Sequence, residues 1–329
     1  MEIRLAKPDE TNELIEMCRW FTTSPFQFDD RLEGVSSGFE PIFAKNMLLS
    51  PSTITYVATE SQKILGFIAF HPLSPISEHA GKRIANILLL VVRPENQNQG
   101  IGGSLVDRAL SHLSNLQVDI VTVGTDLYNI PALQVYTSRG FYPRLVWHIF
   151  RYYDLLPKDK KELPSQTTSL SANIRPLSLN EIQPFEESFS RPLSLLRDKY
   201  VHKSSLRKYL IEKWKSQINQ AKLFCLGYCI NDRPIALITI QQDTLSEQTL
   251  KTEKPVYRIL DVLTLPSTEL SILRSLLQEM TVRFSASLLE IWIDATENLL
   301  IQTIEDAGFR LAYSGINLHA YPVPPTKEP

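Results

Sequence analysis

Two stretches of this chain carry residue types and spacings that could do chemistry together. The first is Arg93-Pro94-Glu95-Asn96-Gln97-Asn98-Gln99-Gly100-Ile101-Gly102-Gly103-Ser104, which follows the apolar run Ile84–Val92. After it, Ile101, Leu105, Ala109, Leu113 and Leu116 recur at spacings of three and four, which predicts a strand, a turn and a helix. Glycines at such a turn let the backbone approach a ligand closely and aim several N–H groups at it. The helix N-terminus adds partial positive charge, so the spot suits a pyrophosphate. The second stretch is Asn129-Ile130-Pro131-Ala132-Leu133-Gln134-Val135-Tyr136-Thr137-Ser138-Arg139-Gly140-Phe141. It reads as a short helix with Asn129 as N-cap, Pro131 in the first turn and Gly140 as terminator. Core packing explains Ala132, Val135 and Phe141. It explains Asn129 and Tyr136 less well, since they lie two helical turns apart on a similar face.

Glycines alone are a weak signal, and a tight turn without a ligand is the plain alternative. A Walker A loop needs Gly-Lys-Ser/Thr, which is absent. A dinucleotide fingerprint wants glycine or alanine at Leu105 and an acid about 20 residues on, where Asp119 and Asp126 fall only roughly in range.

Taken together, the two stretches resemble the signatures of the GNAT superfamily of acyl-CoA-dependent N-acyltransferases. Gln97-Asn98-Gln99-Gly100-Ile101-Gly102 meets its Gln/Arg-x-x-Gly-x-Gly/Ala pattern, preceded by Val92-Arg93-Pro94. Asn129, Ala132, Tyr136, Gly140 and Phe141 meet the second pattern in the expected order. The resemblance implies acetyl-CoA, or another acyl-CoA, as co-substrate and no metal. It implies that main-chain N–H groups of Gln97, Asn98, Gln99, Gly100, Ile101, Gly102, Gly103 and Ser104 hold the pyrophosphate. The backbone of Leu90, Val91 and Val92 would pair with pantetheine like an added strand, and Asn129 would bind or steady that arm. Tyr136 would be the general acid toward the departing thiolate; a phenol stays protonated at neutral pH, as that role requires. Gln99 departs from the family's frequent Lys or Arg.

The acceptor, a primary amine of a small molecule or peptide, must lose a proton. The family often uses a glutamate on the central strand, but Arg83–Val92 holds no acid. Glu40, His71, Asp126 or a water chain remain as alternatives. The region from Thr22 to Pro51 should supply part of the acceptor wall, and its Asp29, Asp30, Glu33 and Glu40 lean toward a cationic amine.

The elements that position these residues occur twice. Ile3-Arg4-Leu5 is echoed by Ile174-Arg175-Pro176, the apolar pair 53–59 and 64–72 by 223–230 and 234–241, and Arg139-Gly140-Phe141 by Ala307-Gly308-Phe309. A chain of 329 residues suits two domains. The expected architecture is α/β with two GNAT-like domains, each a central, mostly antiparallel sheet flanked by helices. They span residues 1–153, catalytic, and 172–323, degenerate, with a linker at 154–171 rich in Pro, Ser and charge and a tail at 324–329. The second domain has no glycine between Gly227 and Gly308, and Ile304 stands where Tyr136 would be.

Other classes fare worse. A net charge of −2 argues against nucleic-acid binding driven by overall charge. The longest apolar run is too short to span a bilayer, the N-terminus lacks a signal-peptide core, and three cysteines without His partners suggest neither zinc nor disulfides. A cytoplasmic protein fits. The basic stretch Arg191–Lys215 reads either as a solvated amphipathic helix or as a docking face for an acidic partner. Two functions stay open: an N-acetyltransferase with one live site, or a CoA-binding regulatory protein with an inactive acceptor site.

Overall fold

Two-residue turns fix the first strand pairings, and the same turn appears in both halves. Strand β1 (Glu2–Leu5) lies against β2 (Ile54–Glu60), which turns through Ser61 and Gln62, both at positive φ, into β3 (Lys63–His71). Such left-handed pairs match the twist of a tight hairpin. In the second half β7 (Ile174–Pro176) lies against β8 (Phe224–Ile230), which turns through Asn231 and Asp232, again both at positive φ, into β9 (Arg233–Gln242). The chain starts repeat as well: Arg4 pairs with Glu10 and Arg175 with Glu181, and each glutamate accepts from the backbone N–H three residues before it. The computed structural model describes residues 1–18, 41–153, 173–189, 193–220, 222–244, 255–284 and 287–322.

The remaining strands are β4 (Ile84–Val92), β5 (Ile120–Asp126), β6 (Tyr142–Tyr153), β10 (Val256–Thr264), β11 (Leu288–Asp294) and β12 (Arg310–Ala320). The helices are α1 (Thr11–Met17), α2 (Pro41–Leu48), α3 (Ser77–Ala80), α4 (Ile101–Asn115), α5 (Ile130–Thr137), α6 (Leu179–Ile182), α7 (Lys203–Asn219), α8 (Leu270–Arg283) and α9 (Asn298–Asp306). The described strands form one sheet in the order β1-β2-β3-β4-β5-β12-β6-β11-β10-β9-β8-β7. It is antiparallel except for β4–β5 and β10–β11, as a mixed α/β fold requires.

That order contains a strand exchange. After α5, β6 does not return to β5. It crosses into the second half and pairs with β11 from Trp147↔Asp294 to Tyr153↔Leu288. The last strand, β12, fills the vacant place beside β5, from Gly315↔Asp126 to Ala320↔Val121, and pairs with β6 on its other edge. Each half therefore completes the sheet of the other.

Helix α4 covers one face of the first half, burying Leu105, Val106, Ala109 and Leu113 against Ile68, Phe70, Val121 and Val123. Helices α1 and α2 cover the opposite face through Leu14, Met17 and Ala44 against Phe67, Leu89 and Val91. Helices α8 and α9 repeat the first arrangement in the second half. The segment leading into α7 reaches across, burying Leu195, Val201 and Leu206 on Ile84 and Ile120 of the first half. A buried polar network pins this crossing. His319 bonds Asp198 at 2.8 Å and Ser194 at 2.9 Å, and the Tyr321 hydroxyl donates to Asp198 at 2.6 Å. Arg144 of the first half donates to the Tyr321 oxygen at 2.8 Å. Burial pushes the Asp198 carboxyl up, but the donors from His319, Tyr321 and the Tyr200 amide outweigh it and hold the pKa at about 2.

Candidate functional site

Parallel strands β4 and β5 are in register only from Ile84↔Ile120 to Ile87↔Val123. Beyond Ile87 the β3–β4 register slips by one residue. This bulge at Leu88 bends the strand. β5 meanwhile goes on pairing with β12 as far as Asp126. The two strands part, and the edge of β4 toward β5 is left without a strand partner from Leu88 to Val92. An extended amide-bearing ligand could use that edge as an added strand would.

The parted strands open a cleft of about 530 Å³, within the range of small-molecule sites. Its walls are Leu90, Val91 and Val92 on one side, the turn from Asn96 to Gly103 above, and α5 from Asn129 to Arg139 opposite. The turn is built by backbone conformation. Gln97 is extended, Asn98 has φ 59, and Gly100, the helix N-cap, has φ 79. The first helical hydrogen bond of α4 runs from the Ser104 N–H to the Gly100 carbonyl at 3.0 Å. The amides of Ile101, Gly102 and Gly103 therefore have no partner within the helix, and these residues line the cleft. A Cβ on Gly102 would meet only Val92 at 3.7 Å and Leu90 at 3.9 Å. The fold thus has room for a side chain there, and a side chain would fill the cleft. Three unpaired amides at a helix N-terminus fit a diphosphate.

Of the residues expected from sequence, Leu90, Val91, Val92, Gln97, Asn98, Gly100, Ile101, Gly102, Gly103 and Asn129 line the cleft. Gln99, Ser104 and Tyr136 are not part of its lining. The Gln99 side chain donates to the Glu95 carbonyl at 3.2 Å, bracing the turn, and Ser104 hydroxyl bonds back to Gly100. Asn129 caps α5 by accepting the Ala132 N–H at 3.2 Å. Tyr136 is 4% exposed and packs in the core beneath α4, 5.4 Å from Phe141. Burial pushes its phenol pKa well up, so it is protonated at neutral pH.

Sequence reading missed Arg139. Its guanidinium lines the cleft, donates to the Gly103 carbonyl at 2.9 Å and the Val135 carbonyl at 3.2 Å, and pairs with Asp107 at 2.8 Å. It ties the start of α4 to the end of α5. The signal was visible only as a basic residue before Gly140-Phe141.

Among the base candidates, His71 bonds Thr53 at 2.9 Å, and burial lowers its pKa, leaving a neutral imidazole able to take a proton. Asp126 ends β5 and accepts from the Tyr313 hydroxyl, whose pKa rises with burial first and with the Asp126 charge second. Tyr313 arrives on β12, so the second half reaches this end of the site. Glu40 lies outside the described residues, as do Asp29, Asp30 and Glu33. Of the basic stretch, Arg191 also lies outside them. Arg207 is spent on the Glu186 and Glu187 carbonyls, Lys215 on Glu186 and Arg197 on Asp294, while Lys203, Lys208 and Lys213 stay exposed. No helix among the described residues is long and apolar enough to cross a membrane.

Over 63 residues the chain is 36% identical to a mycothiol acetyltransferase of Streptomyces bingchenggensis, a match spanning 19% of this chain and only 20% of that protein. A GCN5-related N-acetyltransferase from Sphaerobacter thermophilus superposes with a TM-score of 0.58 at 15% identity, covering 99% of this chain and 97% of the other. A tandem GNAT protein from the clavulanic acid biosynthesis pathway gives 0.58 at 11% identity, covering 99% and 100%. At those identities the two structures speak for the fold, and both cover the whole tandem arrangement. The acetyltransferase (GNAT) family model matches residues 14–141, the segment that holds the cleft. Over residues 14–141, the chain is thus similar to the GNAT family of acetyltransferases.

Proposed function

We propose that this protein transfers an acetyl group from acetyl-CoA to a primary amine at the cleft between β4 and α5. The observation that carries the reading is the union, in one cleft, of three unpaired amides at Ile101–Gly103 with the partnerless β4 edge. A phosphate-bearing head and an amide-bearing arm are the two things such a cleft suits. In this reading the amides hold the diphosphate, Leu90–Val92 pairs with the pantetheine amides, and Asn129 steadies the arm at the start of α5. Bound acetyl-CoA supplies an acyl group already activated as a thioester.

The remaining work falls to this chain's side chains. Tyr136, protonated at neutral pH, would give its proton to the departing sulfur. His71, kept neutral by burial, and Asp126, held by Tyr313, are the described groups able to take the proton of the amine. The exposed Lys203, Lys208 and Lys213 of α7 would offer a docking face to an acidic partner. A second reading has one observation in its favour. Tyr136 sits in the core rather than in the cleft lining, as it would in a CoA-binding regulator without turnover. Incubating the protein with acetyl-CoA and a panel of amines, and following free thiol release, separates the two. Amine-dependent thiol release is the expected result; tight CoA binding with no release from any amine would favour the regulator.

A further inference from the structure

The second half keeps the parted strands and replaces what lines them. Parallel strands β10 and β11 are in register only from Val256↔Leu288 to Ile259↔Ile291, and the β9–β10 register slips at Leu260, the counterpart of Leu88. Beyond it the strands part around a cleft of about 400 Å³. Its lining is mixed: Ser188, Thr264, Asp294 and Glu297 are polar, while Val262, Leu273, Ile291 and Ile293 lie inside, and Leu270 and Leu299 at the mouth are 40% and 67% exposed. Large apolar side chains held at a cleft mouth favour an apolar guest, because burying them removes hydrocarbon from water.

Charge then selects the guest's head. Helices α8 and α9 both begin near this cleft, and bare N-termini would favour an anion. Instead, each has an acidic residue at its N-cap position, Glu269 before α8 and Glu297 before α9, although neither side chain bonds the backbone of its helix. Asp294 and Glu297 line the cleft. Arg197 neutralises Asp294, while no ion pair to Glu297 or Glu269 exists among the described residues. A phosphate entering here would meet carboxylates where the first cleft offers free amides.

We infer that the cleft between β10 and α9 is a second binding site, for a primary ammonium ion carrying an apolar chain. The chain lies along Val262, Leu273 and Ile293, and the ammonium faces Glu297. This site does not depend on the reading of the first cleft, and no covalent step is involved.

The test is calorimetric titration of the full-length chain with hexylammonium, hexanol and hexyl phosphate. Hexylammonium should bind about fivefold more tightly than hexanol, the worth of one partly exposed ion pair, and hexyl phosphate should not bind at this site. Glu297→Gln should abolish the preference for ammonium over alcohol, and Leu299→Ser, at an exposed position that leaves the fold intact, should weaken both. Absence of binding at millimolar concentration, equal affinity for all three probes, or a preference that survives Glu297→Gln would each overturn the proposal. Acetyl-CoA binding to the first cleft is read in a separate titration, so either idea can fail alone.

Discussion

The two halves present the same backbone device with opposite chemistry. In each, a bulged strand leaves its parallel neighbour after four paired residues and opens a cleft beneath a helix N-terminus. In the first, that N-terminus is Gly100-Ile101-Gly102-Gly103, with amides exposed and no side chain in the way. In the second it is Glu269-Leu270, with an acidic residue at the N-cap position and a leucine in the mouth. The difference teaches that sheet topology fixes where a ligand can sit, while the few residues at the helix start decide what kind. Fold alone would assign both clefts the same guest.

The largest expected effect bears on whether the first cleft does chemistry at all. Tyr136→Phe keeps the ring in its place beside Phe141 and removes only the hydroxyl. A general acid is typically worth about 10²–10⁴-fold, so the single-turnover rate should fall by a large part of that range with little change in CoA affinity. Single-turnover measurement avoids masking by product release. An unchanged rate removes Tyr136 from the mechanism and makes its counterpart Ile304 an innocent replacement.

Gly102→Val attacks the cradle. The unliganded fold tolerates the side chain, since even its Cβ neighbours are at ordinary contact distances. CoA affinity should drop about 100-fold, close to 3 kcal/mol, with native circular dichroism. The wild-type chain should bind acetyl-CoA once, and the variant should show that one site weakened to this extent. A second equivalent of CoA in the wild type would mean that Asp294 and Glu297 do not exclude phosphate from the second cleft, and the contrast between clefts would fail.

How much of this could be read from sequence depends on range. The glycine turn, the Asn129 cap and the loss of glycine in the second half are local patterns, so residue order alone displays them. The strand exchange is not local. β6 and β12 are both apolar strands of ordinary character, and nothing in Tyr142–Tyr153 says that its neighbour is β11 rather than β5; register comes from pairing across more than a hundred residues. The same distance hides the Asp126–Tyr313 pair and the Ser194–His319–Asp198 network. Arg139 was hidden differently, because a basic residue before a helix-ending glycine is common, and only its bonds to Gly103 and Asp107 give it a role.

The exchange predicts that the halves stand or fall together, and Asp198 tests it. Its folded pKa of about 2 lies below the usual ~3.9 of an unfolded aspartate. A depressed carboxyl contributes stability fully above the unfolded pKa and loses it as pH falls through the folded one. The contribution, roughly 2 kcal/mol, should thus be present at pH 5 and fade between about pH 4 and 2. In urea titrations, the wild type should lose this increment relative to Asp198→Asn on acidification, in a single transition for both halves. Two separated transitions would show that the clefts belong to independent units.

The smallest effect concerns the residue that closes the first cleft. Arg139 spends its donors on Gly103 and Val135 and its charge on Asp107, so it acts as a positioning residue between α4 and α5. Part of its charge also faces the cleft, where a diphosphate would feel it. Arg139→Gln should raise the KM for acetyl-CoA by roughly 3- to 10-fold, about 1 kcal/mol, and leave kcat nearly unchanged. Arg139→Lys divides the two roles, because lysine keeps the charge but loses the planar fork that reaches two carbonyls at once. If KM returns to the wild-type value with lysine, charge toward the diphosphate is what matters. If lysine is as poor as glutamine, the tie between the helices matters, and the first cleft differs from the second in rigidity as well as in charge. A KM untouched by either substitution would place the whole difference in the glycine turn.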